Sequence, residues 1–182
     1  GHQVVAPDTG VCSAIRVAGQ WHTTRANIPS PRVIVDGDSV TVRDIRFGGG
    51  GVELAETWRF KVHTDRIVWS IERTYLSGGT LDDTCFPGFD FSDMQTWTGA
   101  LLGHGGVACG KLFDSPNASY GVHTGAVTFW NNDKRACLRI IPQAQDRKKV
   151  AVRFSRQPSG IFSFNYSVTD QELATKHGNS RF

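Results

Sequence analysis

The run from Val52 to Tyr75 constrains this chain more than any other. Taken two residues at a time, Val52, Leu54, Trp58, Phe60 and Val62 fall on one face and Glu53, Thr57, Arg59, Lys61 and His63 on the other. That is the period of a strand with one wet side. After the polar turn Thr64-Asp65-Arg66, Ile67, Trp69, Ile71 and Tyr75 share one face and Ser70, Glu72 and Thr74 the other. The pattern predicts two long strands in a hairpin. Full burial of such large apolar side chains gains about 1.5 to 3 kcal/mol each, while ordering the backbone costs about 1 to 2 kcal/mol per residue. The hairpin therefore does not stand alone, and its tryptophan-rich face is expected to pack on a second layer. On that expectation Trp58 and Trp69 are core residues, and Trp69→Ala costs about 3 to 5 kcal/mol.

The rest of the chain supplies strands for that layer. Weak strand character runs from Val4 to Val17, with Val11, Ile15 and Val17 as core contacts, and Gly19 to Pro31 reads as a loop closed by two prolines. Val33-Ile34-Val35 and Val40-Thr41-Val42 flank Asp36-Gly37, a type I′ turn signal, and Ile45 and Phe47 extend the second strand. The glycines from Gly48 to Gly51 do not read as a phosphate cradle, because a strand and not a helix follows them. They are expected to form a turn between strands. Ser77 to Phe91 reads as a long irregular stretch, Met94 to Leu102 as a short helix, and Gly103 to Gly106 as a loop. Lys111 to Phe113 and Ser119 to Val122 are short strands, Ala126 to Trp130 and Ala136 to Ile141 a hairpin. Strands around Val152 and Phe164 follow, and Asp170 stands as the N-cap of a helical turn from Gln171 to Thr175. Ten or more strands without a long amphipathic helix imply an all-β fold, a large antiparallel two-sheet β-sandwich with short helical turns.

A chain of 182 residues suits one such domain, assigned to 3–169, with 170–182 as the start of a linker. Its formal charge of +3 is spread along the chain and no basic stripe interleaves with aromatics, so no nucleic-acid partner is expected. No apolar run has the length to cross a bilayer, so no membrane role is expected either. Gly1-His2 reads as a tag remnant, and the chain is expected to be a piece of a longer protein. Cys12, Cys85, Cys109 and Cys137 lack the spacing of a zinc ribbon or a redox motif and are read as thiols, with a disulfide and the compartment left open. The histidines form no i, i+2 or i, i+4 pair, so neither a metal site nor a cofactor is expected.

Candidate substrate contacts are few. Asp82 and Asp83 are adjacent on an extended chain and point apart, a poor acid and base pair for glycoside hydrolysis but able to hydrogen-bond sugar hydroxyls. Phe86 lies on the same stretch, His104 in its glycine loop, and Trp97 and Trp130 stand where an exposed ring serves either as a sugar platform or as a domain interface. No catalytic residue is assigned, since no nucleophile motif stands out.

Glu56-Thr57-Trp58-Arg59-Phe60-Lys61-Val62, followed by Asp65-Arg66-Ile67-Val68-Trp69-Ser70-Ile71-Glu72-Arg73-Thr74-Tyr75, resembles the central hairpin of the N-terminal super-sandwich domain of six-hairpin glycosidases and glycoside phosphorylases. The galactose-mutarotase-like sandwich is similar in architecture. Val168 to Leu173 resembles the linker that leads to the (α/α)6 barrel of such enzymes. The resemblance implies a non-catalytic domain of a carbohydrate-active enzyme, inactive alone, with the C-terminal barrel of the same parent chain and an oligosaccharide substrate as partners. It carries over no catalytic residue, because those lie in the barrel. By that analogy the Gly78 to Phe91 stretch contributes to the cleft. The alternatives are a stand-alone carbohydrate-binding module, and a mutarotase-like sugar epimerase using His104 or His123 with Asp82.

Overall fold

The computed structural model describes residues 10–25, 29–90, 98–102, 106–109, 117–122, 127–133, 135–143, 151–155, 161–165 and 174–181. The described residues are nearly all strand, and the fold is all-β, antiparallel and sandwich-like. The chain divides into two compact units, one of Ser13–Thr84 with Val168–Phe182, the other of Gly1–Cys12 with Cys85–Ser167.

The first unit is built on the expected hairpin. Strand β5 (Val52–Val62) pairs with β6 (Ile67–Tyr75) from Leu54↔Tyr75 to Val62↔Ile67. Strands β3 (Arg32–Asp36) and β4 (Ser39–Gly49) continue the sheet on the β5 side, and β15 (Asn179–Arg181) adds an edge beside β6. The helical turn at Ala174 and Thr175 precedes that edge strand.

Two turns set the register. Gly37 and Asp38 are the central residues between β3 and β4, and only Gly37 has positive φ, the pattern of a type II′ turn and not the type I′ turn that Asp36-Gly37 predicted. Gly50 and Gly51, both at positive φ, close β4 on β5 as expected of the glycine run. Gly49 and Gly50 have a second reason to be glycine. A Cβ on Gly49 would collide with the His22 ring, and one on Gly50 would come within 2.5 Å of the Val17 side chain.

Within β4 the register shifts between Val42↔Trp58 and Ile45↔Glu56, so Arg43 and Asp44 together oppose Thr57. Asp44 takes the left-handed conformation that such a bulge uses. The extra residue keeps Val40, Val42, Ile45 and Phe47 all on one face despite their change of parity.

That face is covered at one end. Strands β1 (Val11–Val17) and β2 (Gln20–Thr23) form a hairpin, with β2 packed against β4. Ile15 and Val17 meet Phe47, Val52, Leu54 and Tyr75 in a core completed by Leu81 and Ala174. The sequence reading of Gly19 to Pro31 as loop is thereby corrected. Gln20-Trp21-His22-Thr23 has little strand character of its own and becomes a strand because β1 offers it a backbone partner.

In the second unit, β8 (Gly99–Leu102) lies between β9 (Gly106–Cys109) and β11 (Val127–Asn131), and β12 (Ala136–Ile140) pairs with β11 as the hairpin pattern implied. The helix expected over Met94 to Leu102 is corrected at 99–102, which is strand, while 91–97 lie outside the described residues. Strands β10 (Asn117–Val122), β13 (Ala151–Ser155) and β14 (Ile161–Asn165) pair in that order, and β7 (Asp83–Asp90) follows β14. The stretch from Ser77 to Phe91, read as irregular, therefore contains a strand. Its pairing with β14 runs from Gly88 to Asp90 and stops at Pro87, which has no N–H to offer. Cys12 and Cys85 are buried thiols whose sulfurs lie within 3.0 Å of where a Gly88 Cβ would stand, so only glycine fits there. The expected strand at Lys111 to Phe113 and the cap at Asp170 fall outside the described residues.

Candidate interaction surface

The alternation of β5 and β6 is broken at two facing positions. Glu56 and Arg73 are Cα partners on the apolar face, and both are fully buried. Arg73 donates from Nε to Glu56 Oε1 at 2.7 Å and from Nη1 to Thr84 Oγ1 at 2.6 Å and Tyr75 Oη at 3.3 Å. Glu56 Oε2 accepts from Trp58 Nε1 at 2.7 Å, and Thr84 Oγ1 donates to the Ala14 carbonyl at 3.1 Å. The guanidinium also lies over the Phe47 and Tyr75 rings, 5.9 and 6.0 Å from their centroids. Sealed from solvent, this network has no access to a substrate. It pins β5 and β6 to β1 and to the start of β7, and it fixes the indole of Trp58.

The face opens to solvent one position further on, past the buried pair Trp58 and Ile71. Trp58 is buried, but Phe60 and Trp69 are half-buried, stacked at 5.2 Å and 20°. Trp69 also meets Trp58 edge-on at 5.2 Å. Around them, Val33, Val35, Val62 and Ile67 are 59%, 70%, 48% and 65% exposed. The expectation that the whole tryptophan-rich face packs on a second layer is thus corrected. Its Val52–Trp58 half does so, and its outer half presents a contiguous apolar surface of valine, isoleucine and aromatic edges.

The reverse face is charged. Arg59 and Arg181 each hold Glu72 at 2.7 Å, and Lys61 lies 3.3 Å from Asp38. The hydrogen bond from Arg59 is the main reason the Glu72 carboxyl is held below its ordinary range, and that from Lys61 acts likewise on Asp38. An open cleft of about 660 Å³ adjoins the Gly50-Gly51 turn, lined in part by Arg46, Glu53, Leu76 and Ser77. The Ser77 hydroxyl is already committed, accepting from the Glu53 amide and donating to the Gly51 carbonyl.

The described residues among those singled out in the sequence fall in both units. Asp82 is exposed and accepts from the Gly19 amide at 2.7 Å, clamping the β1–β2 turn, where Ala18 and Gly19 both have positive φ. Asp83 is buried and accepts from the Thr84 amide at 2.9 Å, so the two neighbouring carboxylates do diverge. Both belong to the first unit. Trp130 is half-buried in β11 of the second unit, between Cys137 and Gly99. Phe86 lies in β7, its side chain outside the described residues, as are Trp97, His104 and His123 altogether. Among the described residues no group of three or more His, Cys, Asp or Glu is placed to hold a metal ion. What the sequence reading missed is the buried pair, although Glu56 and Arg73 both interrupt an apolar stripe and sit in register.

Compared with protein-family models, with curated proteins and with solved structures, the chain matches none.

Proposed function

We propose that this chain is a non-catalytic β-sandwich module of a carbohydrate-active enzyme, and that the uncovered end of its five-stranded sheet docks on the helical catalytic barrel of the same parent protein. The observation that carries the reading is the apolar surface of Val33, Val35, Phe60, Val62, Ile67 and Trp69, which is held in place by a buried ion pair and left open to solvent. An anchored apolar patch on a sheet suits a permanent protein interface. The carboxylates nearby are occupied with structure: Glu56 is sealed, Glu72 and Asp38 are in ion pairs, and Asp82 holds a turn.

Detection of the native polypeptide in its source cell with an antibody against this chain tests the reading. A mass several times that of the chain is expected, with slower hydrogen exchange at the β5–β6 tip in the native protein than in the isolated chain. A native mass equal to that of the chain, or hydrolysis of a glycan by the isolated chain, would overturn it.

A further inference from the structure

Strand β3 is an edge with nothing beside it among the described residues, and its sequence Arg32-Val33-Ile34-Val35-Asp36 is exposed throughout. Edges this apolar are templates for further strand pairing, and proteins normally blunt them with inward charges or a covering element. We propose that β3 pairs antiparallel with β3 of a second copy of this chain, joining the two five-stranded sheets across a two-fold axis at Ile34.

Three observations select that partner and register. First, the strand is complementary to itself. Antiparallel pairing centred on Ile34 sets Arg32 of each copy against Asp36 of the other and Val33 against Val35. Second, those charges have no partner at home. Arg32 faces Arg43 across β4 and finds no acid among the described residues, and Asp36 faces Ser39 and finds no base. A second copy supplies both, and removes the like-charge conflict that Arg32 and Arg43 otherwise leave unrelieved. Third, the hydrogen-bond parity is right. The two-residue Gly37-Asp38 turn makes Asp36 and Ser39 the closing bonded pair, so Asp36, Ile34 and Arg32 direct their N–H and C=O groups to β4. Val33 and Val35 direct theirs outward, where the symmetric register makes them bonded partners of each other. Pro31, at the next outward position, has no N–H and ends the ladder. The pairing is isologous and closes on itself, giving a dimer and not a fibre. It uses the backbone edge of the sheet; Val33 and Val35 also border the uncovered apolar face, but the pairing does not depend on the module reading.

Sedimentation velocity of the chain over a range of concentrations, at low and high salt, tests the proposal. A monomer–dimer equilibrium weakened by salt is expected. Val35→Pro, which removes an outward N–H that β4 does not use, and Arg32→Asp, which sets like charges opposite, should each weaken the dimer at least about tenfold, as loss of about 1.4 kcal/mol implies. Asp36→Arg alone should do the same, and an equimolar mixture of the Arg32→Asp and Asp36→Arg chains should restore a dimer. Ile67→Lys, on the uncovered face, should leave it intact. Circular dichroism checks that each variant folds, and the charge-swapped mixture carries the test if Val35→Pro does not. A chain monomeric up to about 1 mM, or a dimer that withstands the swaps and yields to Ile67→Lys, would overturn the proposal.

Discussion

The two ends of the β3–β6 sheet have the same alternation and opposite surroundings. At one end Phe47, Leu54 and Tyr75 are enclosed by Ile15, Val17, Leu81 and Ala174. At the other, Val33, Val35, Val62 and Ile67 stand largely in water beside the half-buried Phe60 and Trp69. The Glu56–Arg73 pair lies just inside the enclosed part, followed by the buried Trp58 and Ile71 before the face opens. An apolar stripe therefore says which face of a sheet avoids water, without saying how far along the strand another element covers it. The uncovered half is anchored all the same, because its aromatic ladder is tied through Trp58 to a sealed carboxylate.

The largest effect that would break this comparison lies at the buried ion pair. Arg73→Met should cost about 3 to 5 kcal/mol, because it leaves the Glu56 carboxylate buried without its cation. Replacing both together, Glu56→Leu with Arg73→Met, should recover most of that loss. Urea denaturation measures both, and a single-variant cost below about 1 kcal/mol would mean that Glu56 reaches water.

Next comes the contrast between the ends themselves. Leu54→Ala, at the enclosed end, should cost about 2 to 5 kcal/mol. At the open end, Trp69→Ala should cost about 2 kcal/mol, less than the 3 to 5 kcal/mol expected of a full core position, since the ring is only partly buried. Ile67→Ser should stay within about 0.5 kcal/mol. Equal losses at Leu54 and Ile67 would erase the distinction.

The smallest effect is on the charged reverse face. The Arg59 hydrogen bond, helped by Arg181, depresses the folded-state pKa of Glu72. The pair's stabilisation is therefore present above the unfolded-state pKa and is lost as pH falls through the lowered folded value. Glu72→Gln should flatten the acid limb of the stability profile by less than about 1 kcal/mol, given how exposed the group is. An unchanged limb would show the ion pair to be energetically silent.

Much of the first unit was legible because its signals are local. The β5–β6 hairpin follows from alternation, and the glycine run resolves into a turn as its missing helix implied. The bulge at Arg43 and Asp44 escapes that reading, since Ile45 and Phe47 read as a plain extension of the strand, although the parity change from Val40, Val42 to Ile45, Phe47 is its trace. Strands β2, β7 and β8 were not legible. Gln20 to Thr23 lacks alternation, Asp83 to Asp90 contains Pro87 and Gly88, and Gly99 to Leu102 reads as a helix former. β7 and β8 are strands because β14 and β11, far along the chain, pair with them, and β2 because β1 folds back on it through the Ala18-Gly19 turn; such pairing outweighs the roughly 1 kcal/mol range of strand propensity. Among the candidate contacts, adjacency correctly implied that Asp82 and Asp83 diverge, but not that Asp82 would bind the Gly19 amide, a partner 63 residues away.

By itself the sequence determined that this chain is antiparallel β, which face of its central hairpin is apolar, and where the turns joining β3, β4, β5 and β6 lie. All three depend on residues within a few positions of one another, through the two-residue period and the φ preferences of glycine. Only the tertiary structure decided which half of that face is enclosed, that Glu56 and Arg73 neutralise each other inside it, and that β3 is an open edge among the described residues. Those outcomes depend on which segments, far apart in the chain, come to lie side by side, and burial, ion pairing and edge exposure are properties of that meeting.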